Sequence, residues 1–339
     1  MKAFKYILFL LLIAVIGLAI YIAVQPNSFE VTRTKTIKAP AAVVYNNVID
    51  FKNWESWSSW AEEDTDMIFT LPEQTSGVNA SYSWEDEDGI GTMKNTEAVP
   101  NKSIKQVMQF ADFPSSDVTW EFNPNEDGTT DVTWTISGKD LPFDFKAFSA
   151  LMGGMEKQIG PHYERSLAKL DSIVQQSMKV YSVNINGITE YGGGFFMYKT
   201  TSATNTNISQ IMGKQYGEIM SYMAQNNIVA NGMPLTIYNE MNAENGSVIM
   251  SNGIPIRDKV NVDSASEVLC GYIPKTKVLK TTLTGNYTNL TEAWIEAMSH
   301  LEKSNLEQSD IKPFEVYTND PGNFPNPANW ITEIYIPIK

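Results

Sequence analysis

The chain has 339 residues, with 39 Asp plus Glu against 25 Lys plus Arg and a formal net charge of −14. That balance excludes a reader of nucleic-acid phosphates, which needs clustered cations. One cysteine (Cys270) and two histidines (His162 and His300) exclude a disulfide framework and leave no set for a Cys- or His-based metal centre or catalytic triad; no cofactor is implied. Hydrophobic residues make up 42%, enough for real cores, and the length suits about two domains at ~150 residues each.

Residues 6–24 run without a charge and are rich in Leu, Ile, Val and Ala. As a helix at ~1.5 Å per residue they reach roughly the hydrocarbon thickness of a bilayer. Lys2 and Lys5 precede the run and the first cation after it is Arg33. The excess of cations before the span predicts a cytoplasmic N-terminus, with residues 29–339 outside the cytoplasm. A cleaved signal peptide is the alternative, although its apolar region is normally shorter and ends in a small-x-small site.

Residues 29–38 alternate with strand period, and Pro40 opens an amphipathic helix at 41–51 carrying Val44, Val48 and Phe51. A tryptophan-rich stretch, Trp54 to Trp60, follows. Strands are expected at 66–71, 78–86, 90–98, 102–112, 116–123 and 129–138, with hairpin turns at Asp88-Gly89 and Asp127-Gly128. From 144 to about 176 the apolar spacing is helical, and Gly153-Gly154 and Gly160-Pro161 predict a kink or a split. Between Asp50 and Asp144 there are 20 acids and 5 lysines. Runs such as Glu62-Glu63-Asp64 lack calcium-loop spacing, so they read as a solvated acidic face, one that would also suit a basic partner protein.

That order, with Lys38-Ala39-Pro40-Ala41-Ala42-Val43-Val44-Tyr45 and Phe51-Lys52-Asn53-Trp54 followed by Trp57 and Trp60, resembles the START-like helix-grip superfamily, which includes polyketide-cyclase-like proteins. The resemblance implies a curved sheet wrapped on a long helix over residues 29–178, with an apolar cavity for a lipid-like or polycyclic molecule. Trp57, Trp60, Trp84 and Met155 are candidate lining residues; a packed aromatic core is the alternative reading of the same side chains.

Residues 179–339 carry further strands, helices at about 207–227 and 289–304, and an internal repeat. Pro234-Leu235-Thr236-Ile237-Tyr238 parallels Pro313-Phe314-Glu315-Val316-Tyr317, and Ile254-Pro255-Ile256 parallels Ile336-Pro337-Ile338. Two strand-helix-strand-strand units sharing one sheet are expected, an α+β architecture. The second unit has Glu315 and Glu333 where the first has Thr236 and Ser251. Alternation along the strands suggests that Glu333, Tyr335, Glu315 and Tyr317 share the face lining a cleft between the halves.

The stretch from Gly285-Asn286-Tyr287 through Glu315-Val316-Tyr317 to Trp330-Ile331-Thr332-Glu333-Ile334-Tyr335-Ile336-Pro337-Ile338 resembles the gyrase-inhibitor-like (GyrI-like) effector-binding domain. The resemblance implies a ligand-facing acid at Glu333, with Glu315, Tyr317, Tyr238, Trp330 and Tyr335 around a cationic aromatic molecule. Pairing of Glu333 with Lys280 is the structural alternative. Where relatives often have His, this chain has Leu283, so any polar duty of that His is missing. Some relatives hydrolyse strained toxins, so Glu333, Glu315 and Tyr317 are also candidate catalytic residues. Three functional readings remain at this point: a membrane-anchored small-molecule binder, a small-molecule hydrolase, and a scaffold whose acidic first-domain face meets a basic protein.

Overall fold

The computed structural model describes residues 2–87, 89–204, 206–242, 246–263 and 265–339. Asp88, half of the expected Asp88-Gly89 turn, lies outside them. The chain forms two compact units, Met1–Ser177 and Met178–Lys339.

The first unit opens with α1 (Lys2–Ala23), then β1 (Ser28–Ile37), α2 (Ala41–Ile49), α3 (Trp54–Trp57) and α4 (Ser59–Glu63). The meander β2 (Ile68–Thr70), β3 (Ser81–Asp86), β4 (Gly89–Val99), β5 (Ser103–Phe110), β6 (Ser116–Pro124) and β7 (Thr130–Lys139) leads to α5 (Phe143–Leu151) and α6 (Met155–Ser177). The sheet runs β1-β7-β6-β5-β4-β3-β2, every pair antiparallel. The strand period holds closely: along β7, Val132, Trp134 and Ile136 are buried and the intervening residues are not. On α6, Ile159, Tyr163, Leu167, Leu170 and Val174 recur at three- and four-residue steps and are all buried.

The helical run from 144 is split, as Gly153-Gly154 predict, into two helices. Gly153 and Gly154 take φ of +88° and +94°, a backbone that ends α5 and that side chains disfavour. Pro161 stays inside α6. There Arg33 on β1 donates to Glu156 at 2.5 Å and Glu164 at 2.6 Å, bracketing Gly160-Pro161. A Cβ at Gly160 would stand 2.2 Å from Arg33 Nη2, so the glycine makes room for the clamp.

The second unit contains β8 (Ser182–Tyr191), β9 (Gly194–Thr204), α7 (Ile208–Gln225), β10 (Leu235–Asn242), β11 (Ser247–Ile256), β12 (Leu269–Ile273), β13 (Thr276–Thr284), α8 (Leu290–Lys303), β14 (Phe314–Tyr317) and β15 (Ile331–Pro337). One eight-stranded sheet runs β12-β9-β11-β10-β14-β15-β13-β8. Its two halves, β9-α7-β10-β11 and β13-α8-β14-β15, meet where β10 pairs β14. The strand before each half pairs with the other half: β8 joins β13, and β12 joins β9.

The two faces of this sheet differ. On one, α8 packs Ala293, Ala297 and Leu301 against Ile334, Ile336 and Ile338, and α7 packs Ile219 and Met223 against Met197, Ile254 and Ile256. The other face carries Phe196, Leu235, Val278, Phe314 and Tyr335.

Candidate ligand-binding site

Residues aligned by the sequence repeat sit side by side in space. Thr236 on β10 is the cross-strand partner of Glu315 on β14, at the seam between the halves. Both side chains lie on the helix-covered face, between α7 and α8. Above them opens a cleft of about 2240 Å³. Met212, Met220 and Met223 of α7, with Met233, Met241 and Met298, supply adaptable apolar wall. Tyr216, Tyr238, Tyr287, Tyr317, Trp294 and Trp330 supply rings. Charge in the lining is one-sided: Glu240, Glu302, Asp310, Glu315 and Asp320 against Lys312 among the described residues.

Glu315 is fully buried. Trp294 Nε1 donates to its Oε1 at 2.6 Å, and the Tyr317 hydroxyl donates to its Oε2 at 2.7 Å. The Tyr238 hydroxyl is a third hydrogen-bond partner, and its ring meets Trp294 edge-on at 5.6 Å. None of the ion pairs among the described residues includes Glu315. Burial therefore pushes its carboxyl above the ordinary carboxylate range, against the pull of the three donors. Burial and the Glu315 charge hold Tyr317 and Tyr238 well above the usual phenol range. Tyr287, farther out, is pushed up to about 12 by burial first and then by Glu315 and Asp320. Its ring packs at a tilt against Trp330 at 4.7 Å, and Trp330 is fixed by donating Nε1 to the Phe324 carbonyl at 2.7 Å.

In the first half the same seam is polar and neutral. Thr236 donates to Asn252 Oδ1 at 2.8 Å, Asn252 Nδ2 donates to Gln215 Oε1 at 2.7 Å, and the Tyr216 hydroxyl lies 2.9 Å from Thr236 Oγ1. Glu315 is thus the one buried acid at the seam among the described residues.

The expectation that Glu333 and Tyr335 share the cleft face with Glu315 and Tyr317 is corrected by the register. Val316, not Glu315, pairs Glu333, and Glu315 pairs Ile334. Paired residues point to the same side, so Glu333 and Tyr335 lie on the opposite face with Phe314 and Val316. There Glu333 accepts from Lys280 at 2.7 Å and from the Tyr335 hydroxyl at 2.5 Å. Neither residue lines the cleft. Glu315, Tyr317, Tyr238 and Trp330 do line it. Trp294, Tyr216 and Tyr287 were missed by the sequence reading. For Trp294 the signal was available: it sits one step from the small-residue stripe Ala293-Ala297 and so faces sideways toward the seam, where it meets Glu315 and Tyr238.

In the first unit the expected lining residues have separate fates. Trp57 is fully buried between Trp54, Trp120 and Trp134, at ring separations of 4.8–5.9 Å. Trp134 in turn stacks on Tyr163 of α6 at 3.6 Å, so rings occupy this space between sheet and helix. Trp60 stacks on His162 at 4.7 Å. Trp84 stacks on Phe110 at 6.2 Å, and Met155 is the first residue of α6. The indole N–H groups of Trp57 and Trp134 are buried without a protein acceptor, at about 1–3 kcal/mol each.

His162 also lies 3.1 Å from the Ser59 hydroxyl through Nδ1 and 3.9 Å from Glu63 through Nε2. The residue types are those of a nucleophile relay. Ser59 is fully buried, however, and its hydroxyl is also held by the His162 carbonyl and by Ser166, so the group pins α4 to α6.

Comparison with known families agrees with both halves of this description. Residues 28–175 match the family described as polyketide cyclase / dehydrase and lipid transport. Residues 195–339 match the GyrI-like small molecule binding domain. The chain joins a polyketide-cyclase-like domain to a GyrI-like domain. Among solved structures, the EcmrR C-terminal domain is 16% identical, with a TM-score of 0.38 over 47% of this chain and 98% of that one. A Chromobacterium violaceum protein is 18% identical, with a TM-score of 0.33 over 44% of this chain and 99% of its own. A Mycobacterium smegmatis protein is 15% identical, with a TM-score of 0.33 over 42% of this chain and 89% of its own. The search of curated proteins gave no match. The GyrI-like domain holds the cleft over Glu315, and the polyketide-cyclase-like domain holds the tryptophan cluster.

Proposed function

We propose that the GyrI-like domain binds a hydrophobic aromatic cation in the cleft above Glu315, and that the chain acts as a membrane-anchored small-molecule binder. The observation that carries this reading is the Glu315 carboxylate, buried, bonded only to neutral donors and facing a ring- and methionine-lined cleft. A buried acid without a counter-charge is unfavourable, and an entering cation relieves that cost while stacking on the rings. The polyketide-cyclase-like domain takes an apolar ligand bearing a hydrogen-bond acceptor; the two unpartnered indole N–H groups support this.

Titration of the full chain in detergent, with a planar aromatic cation and its neutral isostere, tests the cleft by calorimetry. Tighter binding of the cation is expected, and equal affinities would remove Glu315 from ligand selection. A second reading, hydrolysis, draws on the 2.7 Å contact between Tyr317 and the raised-pKa Glu315, an arrangement suited to proton transfer. Product formation from a strained neutral substrate, lost in Glu315→Gln, would favour it.

In this reading α1 is an uncleaved anchor. Its segment Phe4–Ala23 is long and apolar enough to cross a bilayer. With Lys2 and Lys5 inside, both domains lie outside the cytoplasm. Alkaline phosphatase fused after Lys339 is expected to be active in cells, and a stable but inactive fusion would reverse the orientation.

A further inference from the structure

The polyketide-cyclase-like domain leaves four large apolar side chains exposed on and just after α5: Phe143 at 52%, Phe148 at 37%, Leu151 at 70% and Met152 at 50%. Phe148, Leu151 and Met152 are spaced i, i+3, i+4 and share one side of the helix. The inward side is fixed: Phe145 is buried, stacked on Phe29 at 5.8 Å and met edge-on by Phe113 at 5.2 Å. This surface is rigidly presented.

Its position identifies what covers it. The helix α5 packs against α1. Among the described side chains of α1, Ile22, in the last turn, is the buried one. The chain leaving α1 is tied to the chain entering α5, where the Leu141 N–H donates to the Asn27 carbonyl at 3.2 Å. The contact therefore lies at the end of the apolar segment, the level at which a spanning helix leaves the hydrocarbon. A helix carrying exposed Phe, Leu and Met at that level meets lipid headgroups and the first acyl carbons.

We infer that α5 is a second membrane contact, lying in the bilayer interface beside α1 with Phe148, Leu151 and Met152 turned into lipid. This rests on the anchor reading of α1. Burying these side chains holds the domain against the bilayer, where a tether alone would let it swing freely.

The test uses full-length chain with Cys270→Ala, carrying single cysteines labelled with an environment-sensitive fluorophore and reconstituted into phosphatidylcholine–phosphatidylglycerol vesicles. Probes are placed at Leu151→Cys in α5, Val15→Cys in α1 and Glu126→Cys in the β6–β7 turn, at the end of β7 remote from α5. Expected is a blue-shifted Leu151 probe that loses most of its emission to nitroxide lipids labelled near the headgroup and little to aqueous iodide. The Glu126 probe should behave in the opposite way. A lipid-quenched Val15 probe with an iodide-quenched Leu151 probe overturns the α5 contact alone. An iodide-quenched Val15 probe overturns the anchor reading and this inference with it. A Leu151 shift that grows with protein density at fixed lipid composition assigns the patch to a second copy of the chain and likewise overturns the inference.

Discussion

Replacing Glu315 by Gln is expected to weaken binding of an aromatic cation by roughly 1.5–3 kcal/mol, the range for a charge-assisted hydrogen bond, or roughly 10- to 150-fold in dissociation constant. A neutral isostere should lose much less. The fold should survive. The Gln oxygen can accept from Trp294, and its amide can face the Tyr317 hydroxyl, which is able to accept as well as donate.

The effect is tied to pH. Because burial raises the Glu315 pKa, between the ordinary carboxylate range and the raised value the folded chain holds a proton that the unfolded chain has lost. Stability should therefore fall as pH rises through that window and level off above it. Cation affinity should rise through the same window, as the carboxylate ionises. In Glu315→Gln both dependences should flatten. Calorimetric titrations and urea melts across the acid-to-neutral range check the pair of signs together, and a wild-type affinity independent of pH would remove Glu315 as the charged partner. Glu333→Gln serves as the contrasting variant. It breaks a contact with Lys280 on the other face of the sheet, so it should leave ligand affinity unchanged.

The largest effect on stability is expected at Trp120→Ala, at about 3–5 kcal/mol for a large aromatic removed from a packed core. Trp120 is fully buried, stacks on Trp134 at 4.2 Å and donates to Gln106 Oε1 at 3.0 Å. Gln106 in turn donates to Asn95 Oδ1 at 2.9 Å, and Asn95 donates to the Ile49 and Gly77 carbonyls. Truncation leaves a cavity and an acceptor without its donor. Since Trp120 belongs to the unit Met1–Ser177, calorimetry should show one transition moved down and the GyrI-like transition unmoved. A Trp120→Phe variant, which fills much of the cavity and still loses the hydrogen bond, separates the two contributions.

The strands and helices of both domains could be read from the sequence because their apolar periods are strong: alternation along β7 and β15, three- and four-residue steps along α6. The repeat placed Thr236 and Glu315 at equivalent positions, and those positions turned out to be neighbours. Strand parity across the β14–β15 pair was not legible. Each strand alternates clearly, yet alternation says only which residues share a side within a strand. Which side of one matches which side of the next depends on register, set here by the 13-residue connection between Tyr317 and Ile331. One residue of slip exchanges Glu333 for Ile334 opposite Glu315. Side-chain convergence from separate helices was equally hidden, so the meeting of Tyr216 with Thr236 at the seam emerged only in three dimensions. The tryptophans of the first domain stand out in the sequence, but composition does not say whether rings line a space or fill it.

The exchanged outer strands have a consequence for synthesis. β8 is the first strand of its domain to leave the ribosome, and its partner β13 follows about 90 residues later. β15 (Ile331–Pro337), which follows every other strand of this sheet, lies inside it between β14 and β13. The second half stays open until β15 has emerged, because β14 and β13 are joined only through it, and the seam edge of β10 waits for β14. Nascent chains therefore pass through a long interval with open strand edges, and truncation before Ile331 removes an inner strand of the sheet. Loss of β15 should send the second domain to proteolysis while the first, already complete, survives.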